Sequence, residues 1–215
     1  MKITLLCSDY KHGVNEYLKA WVLAQQGFHE VALLQKKNQL EGGDILFLIS
    51  CSEIITASER EKYSTCLVLH ASDLPKGRGW SPHIWEIVNG AETITLSLVE
   101  AEDKVDSGKI WKKLCIDVPK HALWDEINHL VFEAEIDLIN FAVKNMGVVK
   151  PIQQEVTGDQ SYYPKRTPED SRIDIKKSIA EQFDLIRVCD PNRFPAYFEY
   201  LGIRYFFKLE KTHDQ

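Results

Sequence analysis

The sequence lacks several features that would assign it quickly to a class of protein. It contains no Cys-x-x-Cys pair, which excludes zinc ribbons and thioredoxin-type redox motifs, and its five cysteines lie singly along the chain. No apolar run approaches the roughly 18 residues that a membrane-spanning helix needs. Internal repeats and low-complexity segments do not occur. These absences favour an ordinary folded domain, and we expect a cytoplasmic protein without a secretory signal or a membrane partner.

An excess of basic residues is absent as well. The 215 residues include 26 Lys and Arg against 32 Asp and Glu, which gives a formal net charge of −6. A surface that follows the phosphates of a nucleic acid is therefore not expected. Hydrophobic residues make up 44% of the chain and charged residues 27%, the balance of a globular protein that buries one sizeable core.

The first half of the sequence alternates short apolar runs with helix-sized segments. Strands are predicted at residues 2–7, 31–34, 45–49 and 66–69, and a helix is predicted over residues 14–26. This order predicts an α/β fold with βαβ units and a Rossmann-like, mostly parallel sheet flanked by helices. Such sheets bind their ligands beyond the carboxyl ends of the strands.

The second half is predicted to begin with a long amphipathic helix over residues 124–143. A helical stretch over residues 171–188 and a hairpin over residues 197–209 are predicted to follow, after a turn-rich binding loop or seam. We expect a core over residues 1–150 and a short C-terminal helix and hairpin extension over residues 151–215. The long helix and the hairpin are also candidate surfaces for a homodimer.

His70 and Asp106 are the residues on which chemistry is expected to depend. His70 follows a buried strand and opens a loop rich in glycine, proline and basic residues. Asp106 follows the next strand, in a polar loop that we expect at the same end of the sheet. A carboxylate beside an imidazole fixes its tautomer and makes it a usable general base near neutral pH. Taken singly, a structural histidine and an ordinary Asp-x-Gly turn are equally good interpretations.

Together, the two segments resemble the core of the folate-dependent formyltransferases. The segment HASDLPKGRG at residues 70–79 and the triplet DSG at residues 106–108 match that family's His-x-Ser-x-Leu-Pro-x-x-x-Gly loop and its later Asp-x-Gly. The resemblance covers residues 45–112 well. It implies the formyltransferase fold and transfer of a formyl group from N10-formyltetrahydrofolate to an amine. It also implies that His70 takes a proton from the amine and that Asp106 orients and supports His70.

One position departs from the family pattern. The family has an Asn two residues before the His, where it stabilises the tetrahedral oxyanion, and this chain has Val68 there. Loss of one oxyanion donor typically lowers the rate by about 100- to 1000-fold. Protonated His70, a backbone N–H or an ordered water are alternative donors. The departure also leaves open a non-catalytic relative that binds folate or a nucleotide.

The resemblance further implies which residues contact the folate. In the family, the pterin is held mainly by the backbone of two loops, one after the central strand and one before the catalytic Asp. Without the His70 and Asp106 motifs, residues 100–103 would be interpreted as a solvated acidic loop. The candidate folate contacts are Ser50, Cys51, Ser52, Ile54, Glu100, Ala101, Glu102 and Asp103.

The family includes enzymes with three classes of acceptor amine. A tRNA formyltransferase carries an additional basic C-terminal domain, whereas residues 151–215 include 10 basic and 11 acidic side chains. A glycinamide ribonucleotide enzyme has a Gly/Ser-rich first loop, which residues 7–14 lack. Residues 162–174 resemble instead the sugar N-formyltransferases, closest to those of pseudaminic acid type that act on a UDP-4-amino-4,6-dideoxy sugar. The expected partner is a small-molecule nucleotide sugar, with an aminoacyl or ribonucleotide amine as the alternative.

A nucleotide sugar calls for cations that bind its diphosphate and flat surfaces that bind its base and hexose. The loop after His70, the end of the first strand and the stretch from residue 162 supply such side chains. Local packing and ion pairing are the alternative interpretation of those in the later stretch, and His83 is predicted to lie on a helix surface. The candidate acceptor contacts are Tyr10, His12, Lys76, Arg78, Gly79, Trp80, Ser81, Tyr162, Tyr163, Arg166 and Arg172.

Overall fold

A computed structural model describes residues 1–155 and 161–212 and gives an α/β architecture. Among these residues, no helix is long and apolar enough to cross a membrane. The helices are α1 (Val14–Gln25), α2 (Ala57–Arg60), α3 (Pro82–Val88), α4 (Trp124–Lys144) and α5 (Phe183–Arg187). The strands are β1 (Lys2–Leu6), β2 (Glu30–Leu34), β3 (Gly43–Leu48), β4 (Tyr63–His70), β5 (Arg78–Gly79), β6 (Thr93–Glu100), β7 (Ile110–Asp117), β8 (Tyr162–Tyr163), β9 (Ala196–Tyr200) and β10 (Ile203–Phe207).

Six strands form the central sheet, in the order β2-β1-β3-β4-β6-β7. The first four are mutually parallel, as the alternation of strands and helices predicts. β6 runs antiparallel to β4, and β7 runs antiparallel to β6, so the sheet is mixed. The last residues of β4 therefore lie between the end of β3, where Leu48 pairs with Val68, and the middle of β6, where Ser97 pairs with His70.

The two faces of the sheet are covered by different apolar clusters. In β4, Leu67 and Leu69 point into the large core that α1, α3 and α4 cover, whereas Cys66 and Val68 point to a smaller cluster. Burying one such aliphatic side chain contributes roughly 1.5–3 kcal/mol, so both faces define the register of β4. Because side chains alternate along a strand, His70 continues the face of Val68.

The predicted helix over residues 171–188 is wrong for most of its length. Only 3₁₀ turns over residues 168–171 and 180–182 and the short α5 are helical there. Ile173 instead donates a backbone hydrogen bond of 2.7 Å to the carbonyl of Tyr197, which draws this stretch alongside β9. The predicted hairpin is confirmed, because β9 and β10 pair antiparallel around Leu201 and Gly202.

The stretch after residue 150 is joined to the core at several places. Ile152 forms an antiparallel bridge with Ile110 at the start of β7. β8 pairs in parallel with β5 in the loop after His70. The buried guanidinium of Arg187 donates a hydrogen bond of 3.1 Å to the carbonyl of Pro119. The pairing of β8 with β5 thus fixes residues 162–163 against the loop that follows β4.

Candidate active site

His70, the last residue of β4, is held by two protein groups. Its Nε2 lies 2.9 Å from the carbonyl oxygen of Gly77, and its Nδ1 lies 3.5 Å from Oδ1 of Asp106. A carbonyl oxygen only accepts hydrogen bonds, so Nε2 is the nitrogen that carries hydrogen. In the neutral ring, the lone pair is then on Nδ1, beside the carboxylate. His70 is only 7% exposed, so this arrangement is shielded from solvent.

Asp106 reaches His70 by a route that the sequence did not predict. Because β6 is antiparallel to β4, its last residue, Glu100, pairs with Leu67, and the following loop begins at the level of Leu67. β6 is therefore not a further parallel strand, but its loop still lies at the same end of the sheet as His70, because Asp106 contacts the His70 ring. The loop is long enough to run back to His70. Asp106 itself has a left-handed backbone with φ of 55°, which is unusual for a residue with a side chain.

The loop after His70 holds both ends of Asp106. The backbone N–H of Gly79 donates to Oδ2 of Asp106 over 3.2 Å. Nε of Arg78 donates to the backbone carbonyl of Asp106 over 3.2 Å. Gln154 donates from its Nε2 to the same carbonyl over 2.9 Å. Arg78 was expected to contact the acceptor, but its guanidinium is buried among these groups, and Gln154 was not predicted because no local motif marks it.

The two candidate folate loops flank the end of β4. The loop after β3 leaves beside Val68, which pairs with Leu48, and the loop after β6 leaves beside Leu67. Cys51 from the first loop and Ala101 from the second pack against the same small cluster as Val68. The structure therefore brings these two stretches together on the face of the sheet that carries His70.

The side chains of these two loops have distinct surroundings. Arg60 joins the loops, because it donates to the carbonyl of Ile55 over 2.6 Å and pairs with the carboxylate of Asp103. Glu100 accepts a hydrogen bond from Trp111, so it faces β7. Burial raises the pKa of the Cys51 thiol. Of the other candidates, Ile54 and Glu102 are exposed to solvent. The backbone N–H of Ser52 donates a hydrogen bond to the Ser8 hydroxyl.

Val68 is half-buried and offers no hydrogen bond at the position where the resembling family has Asn. Its side chain packs with Cys51 and Ala101 on the small apolar cluster. Valine has no polar side-chain atom. An oxyanion formed beside His70 must therefore be stabilised by a group other than residue 68.

Several candidate acceptor residues lie around the pairing of β5 with β8. Tyr163 stacks on Trp85 with ring centroids 6.3 Å apart. The backbone N–H of Trp80 donates a hydrogen bond of 3.0 Å to the carbonyl of Tyr163. Gly79 has φ of 100°, and a Cβ there would lie 2.3 Å from the Tyr163 carbonyl, so only glycine allows this approach. The Tyr162 ring is exposed, and Lys165 lies 5.0 Å from the centre of the partly exposed Trp80 ring; we call these residues the acceptor surface.

Two histidines have pKa values well below the ordinary range of the imidazole. Nε2 of His12 lies 3.3 Å from the Ser50 hydroxyl, and burial, with the charge of Arg193 second, lowers the pKa of His12 to about 4. His83 was expected on a helix surface, but its Nδ1 is buried without a partner in the described part of the chain. Burial is the main cause that lowers the pKa of His83 to about 3.

The remaining candidate acceptor residues have different surroundings. Arg166 lies 5.9 Å from the centre of the Trp85 ring and donates to the carbonyl of Asp170. Arg172 pairs with Glu199 of β9 over 3.2 Å, so its described contacts belong to the hairpin region. Tyr10, Lys76 and Ser81 are exposed. Glu86 of α3, which was not predicted, has its pKa raised to about 7 by burial, with a smaller effect of Asp73.

The chain resembles a curated protein in sequence over part of its length. No protein-family model matches it. The bifunctional polymyxin resistance protein ArnA from Wigglesworthia glossinidia brevipalpis is 31% identical over 134 residues, which are 62% of this chain and 20% of that protein. This chain thus spans about a fifth of the length of the curated relative that it matches.

Solved structures resemble the chain over almost all of its length. A methionyl-tRNA formyltransferase from Clostridium thermocellum has a TM-score of 0.83 at 21% identity, covering 100% of this chain and 96% of the other. HypX from Aquifex aeolicus, in complex with tetrahydrofolic acid, has a TM-score of 0.80 at 21% identity, covering 95% and 36%. A 4-N formyltransferase from Francisella tularensis has a TM-score of 0.67 at 17% identity, covering 97% of each chain. The chain therefore has the formyltransferase fold, which confirms the predicted fold class.

Proposed function

We propose that this chain transfers a formyl group from N10-formyltetrahydrofolate to the amine of a nucleotide-linked amino sugar. The observation that carries the proposal is the shielded pair of His70 and Asp106 at the end of β4, between the two candidate folate loops. The formyltransferase fold supports the reaction class, because the pair lies where parallel strands end and ligands bind. Fold alone does not determine activity, so the residues of the site carry the argument.

The loops beside β4 suit a folate. A pterin is a flat ring with amino and imino protons, so it needs apolar contacts on its faces and backbone carbonyls at its edge. Cys51, Val68 and Ala101 supply small apolar side chains, and the irregular backbone of both loops supplies carbonyls. Exposed Ile54 and Val105 add apolar surface at the two loops. HypX, of the same fold, has been solved with tetrahydrofolic acid.

The chemistry follows from the two nitrogens of His70. The acceptor amine attacks the formyl carbon, and the amine proton passes to Nδ1 of His70, the nitrogen with the free lone pair. The resulting imidazolium has an acceptor for each N–H, because Nε2 faces the Gly77 carbonyl and Nδ1 faces Asp106. The bond between the formyl carbon and N10 then breaks, and N10 takes up the proton from Nδ1 of His70, which returns the imidazole to its neutral form. The products are the formamide and tetrahydrofolate.

The acceptor class is supported by the surface beyond the pair. Trp80 and Tyr162 offer flat faces for a sugar or a base, and Lys165 and Arg166 offer positive charge for a diphosphate. A 4-N formyltransferase is among the proteins that share the fold. We therefore favour a 4-amino sugar linked to a nucleotide, such as a UDP-4-amino-4,6-dideoxy sugar of the pseudaminic acid type.

The test supplies the protein with N10-formyltetrahydrofolate and a panel of UDP- and dTDP-linked amino sugars. Release of tetrahydrofolate is followed by absorbance, and addition of one carbonyl to the sugar is followed by mass spectrometry. We expect turnover of one sugar, loss of turnover in His70→Ala, and retention in His121→Ala, which removes an exposed histidine. Folate binding with formylation of an aminoacyl or ribonucleotide amine would instead identify a different acceptor.

Val68 favours one alternative, a relative that binds folate or a nucleotide without catalysis. That alternative predicts measurable folate binding by calorimetry, no product from any amine, and no effect of His70→Ala on binding. Product formation that depends on His70 would rule it out. Failure of the protein to bind the folate would overturn the proposed function altogether.

A further inference from the structure

Gln154 makes an unusually complete set of hydrogen bonds beside the candidate catalytic pair. Its Nε2 donates to the carbonyl of Asp106 over 2.9 Å and to the carbonyl of Gly108 over 2.8 Å. Its Oε1 accepts a hydrogen bond of 2.9 Å from Nη2 of Arg78. One amide thus spans both ends of the Asp-x-Gly turn and the loop that follows His70. Because Gln154 is only 5% exposed, water does not compete for these bonds.

The backbone that Gln154 holds is one that Asp106 would not adopt freely. A φ of 55° is disfavoured for residues with a Cβ and persists where the surroundings enforce it. Two donors, Gln154 and Nε of Arg78, meet on the carbonyl of Asp106. The orientation of that peptide determines where the Asp106 side chain points. Its carboxylate divides its oxygens between the N–H of Gly79 and Nδ1 of His70.

We propose that Gln154, acting with Arg78, is a positioning residue that holds the Asp106 carboxylate against Nδ1 of His70. The role rests on the proposed formyl transfer, since the pair matters for rate only if His70 takes part in it. Neither Gln154 nor Arg78 touches the reacting atoms in this assignment. They act through Asp106, and Arg78 contributes through its buried fork of donors, which a lysine does not reproduce.

The same loop also carries the contacts of the acceptor surface. The backbone N–H of Arg78 donates to the carbonyl of Ser161 over 3.0 Å, and the backbone N–H of Gly77 donates to the Ser161 hydroxyl over 2.8 Å. Arg78 therefore joins residues on both sides of the site: Asp106 and Gln154 through its side chain, and Ser161 through its backbone. It follows that residues 152–155 and 161–163 belong to the catalytic unit, although the sequence suggested a boundary near residue 150.

The test replaces Gln154 with Met, which keeps the length of the side chain and removes all three hydrogen bonds. We expect kcat to fall by about 10- to 100-fold, as small misplacements of a catalytic group do, with the KM of each substrate changed less than about threefold. The matched control is Gln153→Met at the exposed neighbouring position, which should leave kcat unchanged. Arg78→Lys provides a second variant should Gln154→Met fail to fold.

A double-mutant cycle separates positioning from general destabilisation. If Gln154 acts through Asp106, then Gln154→Met should reduce the residual kcat of Asp106→Asn by less than about twofold. An equal loss in both backgrounds, or no loss in either, would overturn the assignment. Nitrogen-15 NMR of His70 gives a readout that does not depend on turnover. Its ring shifts should change in Gln154→Met and not in Gln153→Met, and unchanged shifts would overturn the assignment even if the proposed activity proves wrong.

Discussion

The Nε2 nitrogen of His70 lies 2.9 Å from the carbonyl oxygen of Gly77, and this contact decides which ring nitrogen is basic. A hydrogen bond to a backbone carbonyl places hydrogen on Nε2 and leaves the lone pair on Nδ1, beside Asp106. The backbone of Gly77 is held in turn by Ser161. The tautomer of His70 is thus determined by a residue seven positions later in the chain.

Replacing Gly77 with alanine should therefore impair catalysis more than folding. Gly77 has φ of 67°, and an added Cβ would lie 2.8 Å from Cβ of Ser72, so the backbone that carries the carbonyl bound to His70 is displaced. Gly90→Ala is the matched control, since Gly90 has φ of 90° with open space around it. Each variant should lose roughly 1–2 kcal/mol of stability from its left-handed backbone, and Gly77→Ala should lose more because its Cβ also meets Ser72. Only Gly77→Ala should lower kcat, by about 10- to 100-fold. Equal kcat values in the two variants would argue against the tautomer assignment.

Replacing Val68 with asparagine should raise the rate of the proposed formyl transfer. Val68 lies on the face of β4 that carries His70 and has no group to stabilise an oxyanion. One added donor is worth up to about 100- to 1000-fold in such sites, and we expect an increase in kcat of at least about tenfold. Val68→Ala is the control, because it removes apolar contact without adding a donor. An asparagine variant no faster than the alanine variant would show that another group already stabilises the oxyanion.

Glu135 should make the stability of the protein fall as the pH rises. It lies in α4, and its Oε2 is buried without a partner among the described residues. Burial raises the pKa of Glu135 from 4.5 to about 8. Below pH 4.5 both the folded and the unfolded chain hold the proton, so the stabilising difference is fully present. Between about pH 4.5 and 8 the unfolded chain releases its proton while the folded chain keeps it, so stability is lost over this window.

The variant Glu135→Gln should remove that dependence. We expect its Tm to match that of the parent protein near pH 5 and to exceed it by several degrees near pH 8.5, measured by calorimetry. Glu133→Gln, at an exposed position of the same helix, should show no such trend. A constant difference in Tm across this range would mean that Glu135 is not held protonated in the folded protein.

The C-terminal hairpin should bind a second copy of the chain. Tyr200 and Ile203 share one face of the hairpin, Phe206 lies on the other and Leu201 is in the turn. All four are more than half exposed, and exposed apolar surface marks interaction sites. We expect light scattering to give twice the chain mass of 24.8 kDa, and Phe206→Glu to reduce it to one chain. Phe28→Glu alters an equally exposed phenylalanine elsewhere and should have no effect. A mass near 24.8 kDa for the parent protein at high concentration would contradict the expectation.

The sequence by itself determined the features that depend on local pattern. Alternating apolar runs predict β1 to β4 and α1, because a strand and a helix each bury one face at a characteristic period. The resemblance of residues 70–79 and 106–108 to the formyltransferase motifs implies that fold from the sequence alone. The hairpin is also predicted, since its turn and its flanking residues are adjacent in the chain.

The tertiary structure alone decided which groups meet and which are removed from water. The direction of β6 depends on pairing with β4 and sets where the Asp106 loop begins. Arg78 resembles a surface cation in sequence, yet it is buried because Asp106 and Gln154 surround it from distant parts of the chain. The stretch from residue 172 has a helical pattern but pairs with β9 instead. In each case a contact between residues far apart in sequence outweighs the local preference, and local preference is all that a single sequence displays.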